Sequence, residues 1–492
     1  MKKYILLIFT ALLTLTASAT KKEKVQQVDS LGRKIKTGWN FGALPSVAFD
    51  ADLGFQGGAL ANIYYYGDGS QYPEYIHSLY AEAAYTTKNY GIFRVNYDSK
   101  YLIPSHRLTL DATYQPDAMC DFYGFNGYQS VYNQDFHKWK KDPAKMGVLE
   151  DYQSRAFYKY KRDLFRFAAD IEGTIWKNIK WNAGLGVLGY MIDECDIDML
   201  NGKKNTFDPA TEHHAQKALD PNVEGLYEKY VKWGIFDPNE VNGGWHPYLR
   251  AGLTYDSRDQ RTCPTKGIYA DAFFTYTAAF NAKYGQQAAA GYNHLQFNFN
   301  FRHYVPVYRD RVTFAYRIGT QNNIAGRSPF YMNTYLNTLF IQRVMYEGLG
   351  GANSLRGIMR NRILANGFAY ANVEFRCKVA KFDIGRQHFY IGLAPFFDLG
   401  VITQPYELDE EAINAAYNAD ADPLKLSLDK YFAMKDGKFD TSKVYMPHMA
   451  AGVGLKVAMN ENFVLSVDWA MALDKQDNAK WANFYIKMGY LF

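Results

Sequence analysis

The sequence predicts an all-β chain: a transmembrane antiparallel up-and-down β-barrel of about 16 strands. Three observations predict it. Apolar and polar residues alternate over many segments, as in Leu295-Gln296-Phe297-Asn298-Phe299-Asn300-Phe301-Arg302, which has one apolar and one polar face. Aromatics make up 17% of the chain, with 41 Tyr and 39 Gly, a balance that suits the aromatic girdles of a membrane barrel. Every long connection falls on the same side of the strands. After Thr20 no stretch approaches the roughly 20 apolar residues that a membrane helix needs.

The elements follow in order. Residues 1–19 read as a signal peptide: Lys2 and Lys3, the apolar Ile5–Leu15, then Ala17-Ser18-Ala19 as a cleavage site, with no Cys after it for a lipid anchor. Residues 20–43 form a periplasmic N-terminal segment too short for a folded domain, and 44–492 form the barrel. Candidate strands lie near 44–53, 57–66, 77–87, 90–98, 106–113, 155–174, 179–192, 246–257, 267–280, 291–304, 311–321, 363–377, 387–399, 446–459, 462–473 and 481–492. On the fifteenth, Phe463, Leu465, Val467, Trp469 and Met471 alternate with Val464, Ser466, Asp468 and Ala470. The long connections 114–154, 193–245, 322–362 and 400–445 all follow odd-numbered strands, which places long loops outside the cell and short turns in the periplasm. Phe484, Ile486, Met488, Tyr490 and Phe492 fall on one outward face of the last strand, a pattern that resembles the closure signal read by the barrel-insertion machinery.

The sixth outer loop contains Gly350-Gly351-Ala352-Asn353-Ser354-Leu355-Arg356-Gly357-Ile358. Here the chain resembles the BamA/TamA superfamily of outer-membrane assembly and translocation barrels, also called the bacterial surface antigen family. Ser354-Leu355-Arg356-Gly357 matches that family's loop tip, although Ile358 stands where an aromatic is usual. Further marks keep the family's order. They are Phe122-Tyr123-Gly124-Phe125, Asp256-Ser257-Arg258-Asp259 with Pro264-Thr265-Lys266-Gly267, Asn372-Val373-Glu374-Phe375-Arg376, Phe396-Phe397-Asp398-Leu399-Gly400, Gly452-Val453-Gly454-Leu455 and Val467-Asp468-Trp469-Ala470. The resemblance implies a loop folded back into the lumen, a seam between first and last strands that can loosen, and a role in moving proteins into or across the outer membrane. Gly42, Pro45 and Gly489 would weaken pairing at such a seam. Family members that assemble proteins usually carry periplasmic POTRA domains. The sequence leaves no room for them, so a periplasmic protein supplying client-binding domains is an implied partner. Outer-membrane lipids and, for its own assembly, the insertion machinery are the others.

Parity places Asp398 and Gly400 on the lumen side of the thirteenth strand, and Asn372, Glu374 and Arg376 on that of the twelfth. Ala450, Gly452 and Gly454 on the next strand leave space beside them. An Arg shielded from water needs an anionic partner, and its planar fork suits a carboxylate. The expected contact is Arg356 with Asp398, and Gly357 would let the loop approach the wall closely. A passive channel or solute transporter is the alternative function, and a surface lipolytic or proteolytic enzyme a third.

Other chemistry is thin. His213-His214 beside Glu212 lacks metal-ligand spacing. The acidic Asp193, Glu194, Asp196 and Asp198 lack the spacing of a calcium loop, and Asp409, Glu410 and Glu411 read as a solvated face on a short helix. Cys120 and Cys195 are candidates for a pairing outside the membrane, with free thiols the plainer reading of all four Cys. No catalytic set, cofactor motif or metal site stands out, and a net charge of +5 names no nucleic-acid partner.

Overall fold

A computed structural model describes residues 35–72, 74–138, 151–203, 205–211, 217–278, 292–309, 311–338, 348–384, 387–459 and 463–492. Its 16 wall strands are β1 (Trp39–Asp50), β2 (Gly54–Tyr65), β3 (His77–Thr86), β4 (Gly91–Ile103), β5 (His106–Asp121), β6 (Lys159–Trp176), β7 (Ile179–Asp193), β8 (Gly243–Asp256), β9 (Gly267–Thr277), β10 (His294–Tyr308), β11 (Val312–Gly326), β12 (Gly367–Ile384), β13 (Gln387–Gln404), β14 (His448–Met459), β15 (Phe463–Ala472) and β16 (Asn483–Met488). Each pairs antiparallel with its sequence neighbours, and β1 meets β16 to close the ring. No helix of the described residues is long and apolar enough to cross a membrane.

Alternation decides which side chain sees which solvent. Phe167, Leu249, Phe274, Ile318, Phe375, Leu393 and Leu455 point outward and stay exposed for lipid. The intervening charged residues point inward and are buried in pairs: Arg94 and Arg166 with Asp111, and Arg250 with Asp170. Pairing is what makes charges tolerable in a lumen filled by protein.

The outer loops hold a second, aromatic core. Phe122 and Phe125 of the third loop sit in it with Tyr230, Trp233 and Phe236 of the fourth, Phe330 of the sixth and Tyr406 of the seventh. Phe125 and Tyr406 stack at 3.8 Å and 3°. Two short helices, α1 (Ile197–Asn201) and α2 (Leu226–Lys232), belong to the fourth loop, and α3 (Glu410–Ala419) to the seventh. Two of the acidic residues serve the backbone: Asp196 caps α1 and Asp409 caps α3 through their side-chain oxygens. The four cysteines are free thiols, so Cys120 and Cys195 do not pair. The signal peptide and the His213-His214 pair lie outside the described residues.

Three boundaries that bear on the seam and the lumen differ from the sequence expectation. β1 begins at Trp39, not 44, so residues 39–43 belong to the wall. Trp39 packs on Tyr65 of β2, and the strand ends where the Asp50 carboxylate accepts the Asp52 and Leu53 amides. β5 continues to Asp121, because 114–121 keep pairing with β6 above the expected end at 113. The last strand stops at Met488. Gly489 takes φ +86°, and the chain beyond it turns into the lumen. Phe484, Ile486 and Met488 keep the outward register, but Tyr490 and Phe492 do not face lipid. Leu491 and Phe492 are buried against Tyr304 and Ala315 of the inner wall. Arg376 draws them in: it donates to the Phe492 carbonyl oxygen (2.7 Å) and lies 4.2 Å from the Tyr490 ring centre.

Candidate functional site

Six strands, β11 to β16, build the floor of the site from matched rows. One inward row runs Arg317, Asn372, Asp398, Ala450 across β11 to β14. The next runs Glu374, Phe396, Gly452, Ala470, Asn483 across β12 to β16. The small residues at Ala450, Gly452 and Ala470 leave a hollow beside the carboxylates, and the sixth loop, residues 327–366, drops its tip into it.

The tip is held by its own turn first. The Ser354 hydroxyl accepts the Gly350 amide (2.9 Å) and lies within donating distance of the Gly348 and Gly350 carbonyls (3.1 and 2.9 Å). The Ser354 carbonyl accepts the Asn372 side-chain amide (2.8 Å). Leu355 is fully buried and fits where Gly400 leaves room: a Cβ there would lie 2.6 Å from Leu355 Cδ1 and 3.1 Å from Ile363 Cδ1. Replacing Gly400 by valine is therefore expected to cost about 1–3 kcal/mol as overpacking and to lift the tip. Proteolysis of the sixth loop on intact cells reads the result; unchanged resistance would show that the fit is loose.

Arg356 is 0% exposed. Its Nε and Nη2 donate to the two Asp398 oxygens at 2.9 Å each, its backbone N donates to Asp398 Oδ2 (3.0 Å), and Nη1 donates to Glu374 Oε1 (2.6 Å). The guanidinium lies 3.4 Å from the centre of the Phe396 ring. A bidentate pair, a second carboxylate and a ring face together offset the desolvation of a buried cation. The other Glu374 oxygen accepts Arg376 Nε (2.9 Å), so Glu374 links the loop tip to the arginine that holds Phe492. Gly357 takes φ +92°, and a Cβ on it would lie 2.9 Å from the Met471 backbone of β15. The structure thus brings together Ser354, Leu355, Arg356, Gly357, Glu374, Arg376, Asp398 and Gly400. It separates Tyr490 and Phe492 from the outward triad Phe484, Ile486 and Met488.

Several residues of this site had no assigned partner in the sequence reading. Lys456 and Asp468 pair beside Arg356 on β14 and β15. From β16, the Tyr485 hydroxyl accepts the Gly357 amide (3.1 Å) and Lys487 donates to the Ala352 carbonyl (2.7 Å). Arg360 donates to Asp117 and Asp121 of β5 and, through its backbone N, to Asp52 (3.2 Å) of the β1–β2 turn. Arg362 donates to the Gly127 and Ser130 carbonyls of the third loop. Lumen parity was visible for Asp468 and Lys487. The three-dimensional fact is that the sixth loop grips both sides of the seam, β16 through Tyr485 and Lys487 and the β1 side through Asp52.

Below that grip the seam is nearly unpaired. β1 and β16 share only the pairs Phe49 with Ile486 and Asp50 with Tyr485, while β1 pairs with β2 along its whole length. Trp39–Ala48 have no partner strand on the β16 side among the described residues.

Comparison with curated protein sequences gives no match. Among solved structures, CdiB from Escherichia coli has a TM-score of 0.51 at 11% identity, covering 92% of this chain and 62% of that one. BamA from Haemophilus ducreyi lacking POTRA domains 1-3 has a TM-score of 0.48 at 14% identity, covering 92% and 70%. CdiB from Acinetobacter baumannii has 0.44 at 9%, covering 93% and 61%. The chain thus spans less than two thirds of either CdiB. The Omp85 superfamily domain matches residues 61–492. That match covers all of the wall except β1 and the start of β2, and it identifies the chain as a member of the Omp85 superfamily, a β-barrel of the bacterial outer membrane.

Proposed function

We propose that this barrel takes part in inserting or translocating proteins at the outer membrane, and that its working surface is the free edge of β1. The observation that carries the proposal is the two-pair seam. An unpaired strand edge is costly in lipid, because its amides and carbonyls have no water to bond. The same groups are a ready template for another strand, which adds to an open edge through main-chain hydrogen bonds. Pro45 within the edge lacks a donor and limits tight self-closure. The sixth loop clasps the outer end, so the edge is open from the periplasmic end, where an exported chain arrives. A periplasmic protein that delivers clients belongs to this proposal, as do signal-peptide export and a periplasmic segment before β1.

A photo-crosslinker placed in cells at Phe41, Leu44 or Val47 tests it. The expected product joins this chain to another outer-membrane or exported protein, and the same crosslinker on lipid-facing Leu253 of β8 yields none. Capture at Leu253 equal to that at β1, or none at β1, would remove the basis for the reading. The passive-channel alternative predicts a large, steady conductance, whereas a lumen crossed by the sixth loop predicts a small one.

A further inference from the structure

We propose that the turn 257–266, between β8 and β9, and the segment 489–492 form a two-part plug that closes the lumen at its periplasmic end, with Tyr490 as the latch. The inference concerns the axial path through the barrel and stands whether or not the seam accepts a strand.

The turn is built rather than slack. Asp259 accepts the Thr265 amide (3.0 Å) and hydroxyl (2.5 Å), and its own amide donates to the Lys266 carbonyl (3.1 Å). Arg258 donates to Asp256 and lies 4.5 Å from the Tyr269 ring centre. This turn crosses the barrel. Cys263 is 4% exposed and packs on Tyr390, Ala458 and Val464, inward residues of β13, β14 and β15, with β10 to β12 standing between along the ring.

The second part meets the first at Tyr390. The Tyr390 hydroxyl lies 3.1 Å from that of Tyr490 and donates to Cys263 Sγ (3.7 Å). Beyond Gly489, whose amide still donates to Val464, the segment leaves the wall ladder and rests on side chains. Arg376 holds the Tyr490 ring, and Arg317 lies 5.4 Å from the Phe492 ring. Against the plug lies a polar cavity of about 270 Å³, bounded by Asn298, Asn300 and Arg302 of β10, by Asn337 of the sixth loop, by Tyr490, and by Arg261 of the turn. Polar walls of this kind suit water. Two thin contacts, made through one thiol and two tyrosine rings, join the two parts of the plug. Such contacts open at far lower cost than a wall strand.

The test uses the full chain in membranes. A bulky maleimide reagent is applied from the periplasmic side and the label on Cys263 is located by peptide mapping, with Lys266→Cys as the exposed reference. In the wild type Cys263 is expected to react about tenfold or more slowly than the reference, as for a state open a tenth of the time or less. Tyr490→Ala should bring the rate close to the reference. In planar bilayers, replacing 261–264 by Gly-Gly should raise the conductance several-fold. Wild-type Cys263 reacting at the reference rate, or Tyr490→Ala leaving its rate unchanged, would overturn the plug. So would unchanged conductance in a shortened variant that still shows the folded, heat-modifiable band. If the shortened variant does not fold, the Tyr490→Ala labelling rate decides.

Discussion

Arg356→Ala is expected to destabilise the barrel by about 3–5 kcal/mol, the usual penalty for removing one partner of a buried charge pair. The reason is what the substitution leaves behind. Asp398, 0% exposed, accepts three hydrogen bonds from Arg356 and has no other partner of comparable strength on its own row, which is Asn372 on one side and Ala450 on the other. Glu374 keeps Arg376 and suffers less. Arg356→Lys restores a charge but not the fork, and it loses the face-on contact with Phe396, so it should recover only part of the loss. The instructive variant is the double replacement Arg356→Met with Asp398→Leu. It removes both charges and should be milder than Arg356→Ala alone, because no orphan carboxylate remains. Urea titration of the lipid-embedded protein, followed by the heat-modifiable band, measures all three. A loss below about 0.5 kcal/mol for Arg356→Ala, the size of an ordinary surface substitution, would mean that the tip does not depend on this contact.

How much of this was legible beforehand depended on whether the information was local. Strand parity is local, so Asp398, Glu374 and Arg376 could be placed in the lumen by counting in twos from their apolar neighbours. The long loops sorted by parity for the same reason. The Arg356–Asp398 contact spans 42 positions and needed the family resemblance, since nothing near Arg356 indicates which wall it meets. The turn at Gly489 was not legible. Phe484, Ile486, Met488, Tyr490 and Phe492 alternate without a break, and the force that ends the strand comes from Arg376, on β12. The aromatic core of the outer loops was invisible for a related reason. Phe122, Tyr230, Phe330 and Phe432 share no periodicity and meet only when four loops close over the barrel. Arg360 and Arg362 lie within a few residues of Arg356, but their partners come from β5, the third loop and the β1–β2 turn.

A disulfide between Phe49→Cys and Ile486→Cys is expected to split capture at the seam by height. These two positions face each other in one of the two pairs that close β1 to β16. Joining them fixes the outer end while leaving the lower edge, down to Trp39, as open as before. A client strand that enters from the periplasm can then still reach Phe41, but it cannot advance to Val47, where the locked strands converge. Crosslinking from Phe41 should therefore persist in the oxidised form. Crosslinking from Val47 should fall about tenfold or more, as when an open state is made at least about 1.4 kcal/mol less accessible, and return on reduction. The control reuses Phe49. Phe49→Cys with Phe55→Cys ties β1 to β2, a full ladder along which no opening is proposed, and should change neither signal. Capture undiminished at both heights would show that clients do not advance between these strands. Loss at both heights in the control as well would mean that the bond itself distorts β1. Only the graded result, lost above and kept below, requires a seam clasped at the top by the sixth loop and open at the bottom. That asymmetry follows from two observations together: Tyr485, Lys487 and Asp52 are gripped by the loop, and Gly489 has already turned the end of β16 away from β1.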